Sequence, residues 1–142
     1  RAIARMTLLV DTSVWSLALR RDGARASREV DALRSALTDG TDVATTGVIL
    51  LELLQGAVPG RARDAIRGAF DSLLFLEPER RDYEEAAELS NTCRRAGVQL
   101  TSIDALIAQL AIRHELLLLT TDRDFRHAAR HIPVKTWTTQ AG

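Results

Sequence analysis

The chain has 142 residues, of which 46% are hydrophobic and 27% charged, as expected for one globular domain that buries about two-thirds of its unfolded surface. Its 19 basic side chains balance 19 acidic ones, so no overall positive field attracts nucleic acid and any such contact must be local. No apolar run approaches the roughly 20 residues that cross a bilayer, and no secretory signal is evident. The single cysteine cannot form an internal disulfide. We therefore expect a cytoplasmic protein without membrane association.

The apolar periodicity predicts the order of the helices and strands. Residues 1–5 precede the only methionine, Met6, and are interpreted as an extension or cloning remnant, so the predicted single domain spans 6–142. We predict strands at 7–10, 42–45, 73–76, 116–119 and 134–137, and helices at 14–19, 26–37, 48–54, 62–72, 81–96, 103–114 and just after 124. Strands that are continuous apolar runs separated by helices indicate an α/β, doubly wound fold with a mostly parallel central sheet covered on both faces.

Two of the predicted helices carry specific burial expectations. The intensely apolar helix at 48–54 is predicted to be buried although it contains Glu52. The long helix is predicted to end at Gly97 and to bury one face, made by Tyr83, Ala86, Leu89 and Cys93.

Five acidic residues stand beside apolar segments, where an uncompensated carboxylate is costly. They are Asp11, Glu52, Asp104, Asp122 and Asp124. Each has an ordinary alternative role, and for four of them it is at a helix start: Asp11 as an N-cap, Asp104 in a capping box with Thr101, and the last two as acids that complement a helix dipole. Glu52 lies in mid-helix, so its ordinary alternative is a salt bridge to an arginine.

The joint placement of these acids favours a metal site. In a parallel sheet, functional groups collect beyond the carboxyl ends of the strands, and Asp11 and Asp122 both follow apolar strands. Asp104 and Glu52, on neighbouring helices, can reach the same edge. Carboxylates gathered there would repel one another unless a cation neutralised them, and Mg²⁺ or Mn²⁺ prefers such oxygen ligands.

The ordered acid motifs resemble those of PIN-domain ribonucleases, specifically the VapC-type toxins of bacterial toxin–antitoxin pairs. The segments that carry the resemblance are Val10-Asp11-Thr12-Ser13, Leu50-Leu51-Glu52-Leu53, residues 102–108 around Asp104 and residues 119–125 around Asp122. The resemblance implies a three-layer α/β/α PIN-like fold over 6–142 and a metal-dependent endoribonuclease that uses Mg²⁺, with Mn²⁺ able to substitute. It assigns catalysis to Asp11, Glu52, Asp104 and Asp122, with the metal on Asp11, Asp104 and Asp122. It gives Thr12, Ser13 and Thr120 the task of orienting the acids or the substrate, and it makes Asp124 an additional acid of the site.

The same resemblance implies partners. They are an RNA substrate, a second copy of the chain in a homodimer, and a cognate VapB-type antitoxin that neutralises the toxin; operator DNA is reached only through the antitoxin. The toxin would inhibit growth or translation. A metal held by carboxylates activates water and stabilises a leaving oxygen, so we expect in-line hydrolysis that leaves a 5′-phosphate and a 3′-hydroxyl.

Other polar and aromatic residues receive minor roles. His114, His127 and His131 are predicted to be surface residues or weak RNA contacts rather than zinc ligands. Trp15 is either core or part of a groove for the antitoxin. The arginines considered for RNA phosphates are Arg20, Arg21, Arg94 and Arg95.

Two other functions compete with the nuclease. One is a catalytically silent PIN-fold RNA-binding module, which has no reason to keep every acid. The other is a different acidic-site, Mg²⁺-dependent phosphoryl-transfer enzyme. A haloacid-dehalogenase-type phosphatase wants an Asp where Ser13 stands, a response-regulator receiver wants a lysine at a strand end whereas Lys135 lies within one, and neither class explains Glu52.

Overall fold

Neighbouring strands of the described sheet all run parallel. A computed structural model describes residues 6–20, 27–40, 42–56 and 60–138, so residues 1–5 and Arg21 lie outside the described part. Within it, the elements are β1 (Leu8–Val10), α1 (Thr12–Ala18), α2 (Arg28–Asp39), β2 (Val43–Thr46), α3 (Gly47–Gln55), α4 (Gly60–Phe70), β3 (Leu74–Leu76), α5 (Arg80–Arg95), α6 (Ser102–Arg113), β4 (Leu117–Leu119), α7 (Arg123–Ala128) and β5 (Lys135–Thr136). The strand order is β3-β2-β1-β4-β5, which confirms the predicted α/β/α fold with its parallel sheet.

The order of the central strands determines which edge of the sheet carries a crevice. β1 and β2 are buried along their whole length, as expected for strands covered by helices on both faces. The chain runs from β1 outward through β2 to β3, and then returns to place β4 and β5 on the other side of β1. The strand order therefore reverses between β1 and β4, and a crevice opens at their carboxyl ends.

Trp15 belongs to the core. It is 2% exposed, and its ring packs against Phe70 of α4 with 4.9 Å between ring centroids. The alternative in which Trp15 lines an antitoxin groove is therefore wrong. Cys93 is fully buried, as predicted.

Two burial predictions were wrong. Helix α3 buries Ile49 and Leu53 but leaves Leu51 57% exposed, so it covers the core with one side only. Helix α5 buries Asp82, Ala86 and Cys93, whereas Tyr83 is 57% exposed. The buried positions of α5 recur at helical spacing and begin at the charged residue Asp82. The side chain of the next residue, Tyr83, therefore points outward.

The buried Asp82 is compensated by an ion pair between α5 and α6. Nε and Nη2 of Arg113 donate hydrogen bonds of 2.7 and 2.9 Å to its two carboxylate oxygens, and Nε2 of Gln109 donates a third at 3.3 Å. The amide of Glu79 donates to Oδ2, which completes a capping box at the start of α5. Burial raises the pKa of Asp82, but these hydrogen bonds outweigh it and hold that pKa below 3.8. The pair fixes α6, the helix that carries Asp104.

Within residues 6–20, 27–40, 42–56 and 60–138, the helices are all too short or too polar to cross a membrane.

Candidate active site

Asp11 lies at the crevice between β1 and β4 and is 5% exposed. Its backbone amide donates a 2.9 Å hydrogen bond to the carbonyl of Leu119, which continues the β1–β4 pairing past the end of β1. It occupies the N-cap position of α1, yet its side chain makes no capping hydrogen bond. The ordinary alternative role of a helix cap therefore does not explain this carboxylate.

Two hydroxyl groups hold the Asp11 carboxylate instead. Ser13 Oγ and Thr120 Oγ1 donate hydrogen bonds of 2.8 and 2.9 Å to the same oxygen, Oδ2. Each hydroxyl in turn accepts from a backbone amide, Ser13 from Thr121 at 3.1 Å and Thr120 from Asp122 at 3.0 Å. These bonds join residues at the ends of β1 and β4, and they orient one carboxylate in a fixed direction.

Glu52 is positioned by a hydroxyl on a different helix. Oγ1 of Thr12 donates a 2.7 Å hydrogen bond to Glu52 Oε1, joining α1 to α3 across 40 residues of sequence. Glu52 is half-buried, and it forms no salt bridge with any residue in the described part of the chain. Among the described residues, therefore, no arginine plays the ordinary alternative role of an ion-pair partner for Glu52.

Asp104 is the carboxyl group on which the charges of the other acids act. It lies in the first turn of α6, where its amide donates a 3.1 Å hydrogen bond to the Thr101 hydroxyl that caps the helix. Burial, and after it the charges of Asp11, Asp122 and Glu52, raise the pKa of Asp104 from 3.8 to about 6. Three carboxylates from other parts of the chain are therefore close enough to oppose its ionisation.

Asp122 and Asp124 lie where β4 leads into α7. Oδ1 of Asp122 accepts a 2.9 Å hydrogen bond from the amide of Asp124 and caps α7, so its ordinary role as a helix-start acid is present. Asp122 is half-buried and faces the cluster, whereas Asp124 is exposed and lines a cavity at the start of α6.

The donor set suits a hard divalent cation. The converging groups are all carboxylates, and a cation among them would remove the repulsion that raises the pKa of Asp104. In the described residues, no three His, Cys, Asp or Glu side chains are already arranged to hold a metal ion. The ligand set Asp11, Asp104 and Asp122 therefore stays a prediction.

The predicted histidines and arginines form no salt bridge with the clustered acids in the described part of the chain. His127 and His131 are exposed, as are Arg20, Arg94 and Arg95. His114 was predicted to be on the surface, but its Nε2 is buried at the end of α6, and burial and the nearby Arg113 lower its pKa. His114 is therefore partly buried rather than a surface residue.

Two cavities beside α6 were not predicted from the sequence. An apolar groove of about 490 Å³ lies between α3, α5 and α6, and a polar cavity of about 420 Å³ runs from the end of α5 to Asp124. The sequence feature that could have indicated the groove is the spacing of the buried residues of α5, which starts at Asp82 and leaves the next residue, Tyr83, on the surface. Because Asp82 is charged, it is easily overlooked as a buried residue.

Comparison with known proteins agrees with this architecture. Residues 8–131 match the family model described as PIN domain. The chain is 34% identical over 125 residues to VapC ribonuclease Mb1587 of Mycobacterium bovis and to ribonuclease VapC11 of Mycobacterium tuberculosis, in each case over 87% of this chain and 92% of the relative. A solved structure described as DNA-bound VapBC from Salmonella typhimurium has a TM-score of 0.72 at 15% identity, over 93% of this chain and 96% of that chain.

The family match and the two relatives confirm the resemblance drawn from the acid motifs. The order β3-β2-β1-β4-β5 and the helices on both faces are the fold that this resemblance implied. The chain therefore belongs to the PIN-domain family and, within it, to the VapC type.

Proposed function

We propose that this protein is a metal-dependent endoribonuclease and acts as the toxin of a type II toxin–antitoxin pair. The observation that carries the proposal is the environment of Asp104, whose pKa of about 6 reflects burial and the charges of Asp11, Asp122 and Glu52. None of these four carboxylates forms a salt bridge within the described part of the chain, so gathering them at a sheet edge opposes folding and brings no structural benefit. A site that binds a cation and a phosphodiester gives that arrangement a use.

Each polar residue then has a task. Asp11 and Asp104 are the principal cation ligands, joined by Asp122, and Glu52 holds a water. Bound there, Mg²⁺ or Mn²⁺ would activate water and neutralise charge on the phosphate. Ser13 and Thr120 keep Oδ2 of Asp11 in one orientation, so the other oxygen is free to face the substrate. Thr12 fixes the orientation of the Glu52 carboxylate in the same way. Asp124, which is exposed, is an additional acid at the edge of the site.

The partners follow from the relatives. Two relatives carry the name ribonuclease, so RNA is the proposed substrate and the cytoplasm the proposed place of action. The Salmonella typhimurium structure is described as a VapBC assembly bound to DNA. We expect a VapB-type antitoxin to neutralise this protein and to carry any contact with operator DNA. Growth inhibition and a homodimer complete the proposal.

Cleavage of RNA by the purified protein tests the proposal. Labelled total RNA is incubated with Mg²⁺, with Mn²⁺, and with either ion plus excess EDTA. We expect cleavage with both ions, none with EDTA, and none by Asp11→Asn. Glu88→Gln, at an exposed acid on α5, is the matched control and should cleave normally. A folded protein that binds RNA but never cuts it would instead favour the silent RNA-binding module.

A further inference from the structure

One face of α5 lies open along the apolar groove between α3, α5 and α6. Four of the α5 residues that line this groove follow one another at intervals of four, three and four residues, and we call them the α5 seam: Tyr83, Ala87, Ser90 and Arg94. This is the spacing of residues along which two helices pack against each other. Because Tyr83, Ala87 and Arg94 are exposed, no helix of the described part of the chain covers the seam.

The spacing of the α5 seam reads the same in both directions, so an antiparallel copy of α5 fits against it in register. A two-fold axis midway between Ala87 and Ser90 places Tyr83 of one copy opposite Arg94 of the partner subunit. The same axis places Ala87 opposite Ser90 of the partner subunit. These two small side chains stand at the middle of the contact and allow the two helices to approach closely.

The two large residues of the seam have no partner within one copy. The guanidinium of Arg94 donates a weak 3.4 Å hydrogen bond to the amide oxygen of Asn91, and no carboxylate of the described residues lies within salt-bridge distance of it. Tyr83 and Arg94 are about 16 Å apart along α5, so they cannot meet within one chain. A guanidinium is attracted to the face of a tyrosine ring, and the two-fold arrangement forms this contact twice.

Apolar residues beside the α5 seam are exposed as well. Ile103 at the start of α6 lines the same groove and is exposed. Val48 of α3 lines it too, and the exposed Leu51 follows Val48 by about one helical turn. A helix seated in the groove lies against Ile103 and Val48 and buries apolar surface that one copy leaves in water.

We infer that two copies of this protein associate through the α5 seam, with Tyr83 of each copy stacked on Arg94 of the partner subunit. A second copy is the occupant because the surface carries both halves of its own contact, as a two-fold interface requires. This inference rests on the homodimer of the proposed function and deepens it by assigning the surface and the residue pair that form it.

Sedimentation equilibrium of the purified protein at several concentrations tests the location of the interface. We expect a monomer–dimer equilibrium for the unmodified protein and only monomer for Ala87→Arg, which places two like charges next to the two-fold axis. Ala65→Arg is the matched control: it adds the same charge to an exposed alanine of α4 that does not line the groove, and it should dimerise normally. Circular dichroism checks that both variants are folded.

A double-mutant cycle tests the residue pair. Because each contact occurs twice in the dimer, we expect Arg94→Gln and Tyr83→Ala each to raise the dimer Kd about tenfold. The double variant should lose little more than either single variant, since the two residues form one contact. Arg95→Gln removes the same charge outside the groove and should leave Kd unchanged. Tyr83→Phe should keep most of the affinity because the ring remains.

The outcomes separate this inference from the proposed function. An unchanged Kd for Ala87→Arg would overturn the α5 seam and leave the homodimer in place, and fully additive losses in the cycle would overturn the residue pair. An unmodified protein that is monomeric at every concentration would overturn both the seam and the proposed homodimer. Cleavage of labelled RNA is measured on the same samples, and its absence from a dimeric protein would overturn the ribonuclease proposal alone.

Discussion

The Thr120 hydroxyl donates a 2.9 Å hydrogen bond to Oδ2 of Asp11, although 109 residues separate the two in sequence. The contact exists because β4 pairs directly with β1, which brings the residues after both strands to the same edge. The orientation of the first acid is therefore set by the topology of the sheet rather than by the helix that Asp11 begins. An acid placed in this way is held rigidly before any ligand arrives.

Thr120→Val should lower both stability and cleavage. The substitution keeps the shape of the side chain but removes one donor from a buried carboxylate, which costs about 1–3 kcal/mol of the free energy of unfolding. Urea denaturation measures this loss. Thr45→Val is the control: Thr45 is fully buried in β2 and its hydroxyl has no partner among the described residues, so that variant should be as stable as the parent or more stable. Equal losses at both positions would show that the Asp11 contact has no special role.

Asp104→Asn should stabilise the metal-free protein at pH 7 while abolishing cleavage. The folded pKa of Asp104, about 6, lies above its ordinary 3.8, so ionisation of this group opposes folding at neutral pH. Allowing for solvent screening of a half-exposed group, the gain is about 1 kcal/mol. The gain should be complete above pH 6 and disappear as the pH falls through 6 towards 3.8. Thermal unfolding across this range checks the sign, and a variant less stable than the parent at pH 7 would contradict it.

Thr12→Val should reduce cleavage with little effect on stability. The variant removes the 2.7 Å hydrogen bond to Glu52 from a half-buried site, so Glu52 loses its orientation but can still be hydrated. Loss of a residue that orients an acid at a metal site costs about 10–100-fold in activity. Thr12→Ser, which keeps the hydroxyl, should retain most of the rate measured with labelled RNA. Equal rates for the valine and serine variants would show that this bond does not matter.

Asp82→Asn should lower stability in a pH-dependent way. The folded pKa of Asp82 lies below 3.8, so its ion pair with Arg113 contributes fully above that pH and is lost as the pH falls through the folded value. We expect a loss of about 2 kcal/mol at pH 7 that shrinks below pH 3.8, measured by urea denaturation. Glu84→Gln, which removes only an exposed pair with Arg80, should cause no measurable change. A loss that is independent of pH would point to packing rather than charge.

Periodicity and turn residues were sufficient to predict the parallel sheet and the order of its elements. The acids that directly follow strands, Asp11 and Asp122, could be placed at one edge from topology alone. Asp104 and Glu52 could not, because helices carry them and the position of a helix over a sheet depends on packing. The hydroxyl contacts of Thr12 and Thr120 likewise depend on which segments become neighbours in space.

The burial errors share one physical cause. The exposure of Leu51 and Tyr83 depends on which side of a helix meets the sheet, and this side is not determined by hydrophobicity alone. On α5 the buried register begins at a charged residue, which its ion pair with Arg113 makes tolerable. A pattern of apolar residues does not reveal that compensation, since the partner lies on another helix.

Diffraction from crystals soaked in Mn²⁺, with data collected at the manganese absorption edge, locates any cation that the acids share. We expect an anomalous difference peak among the carboxylates of Asp11, Asp104 and Asp122, and no such peak in crystals of Asp104→Asn. A soaked crystal with no peak at these residues, or with the only peak elsewhere on the molecule, would contradict the claim that these acids share a cation.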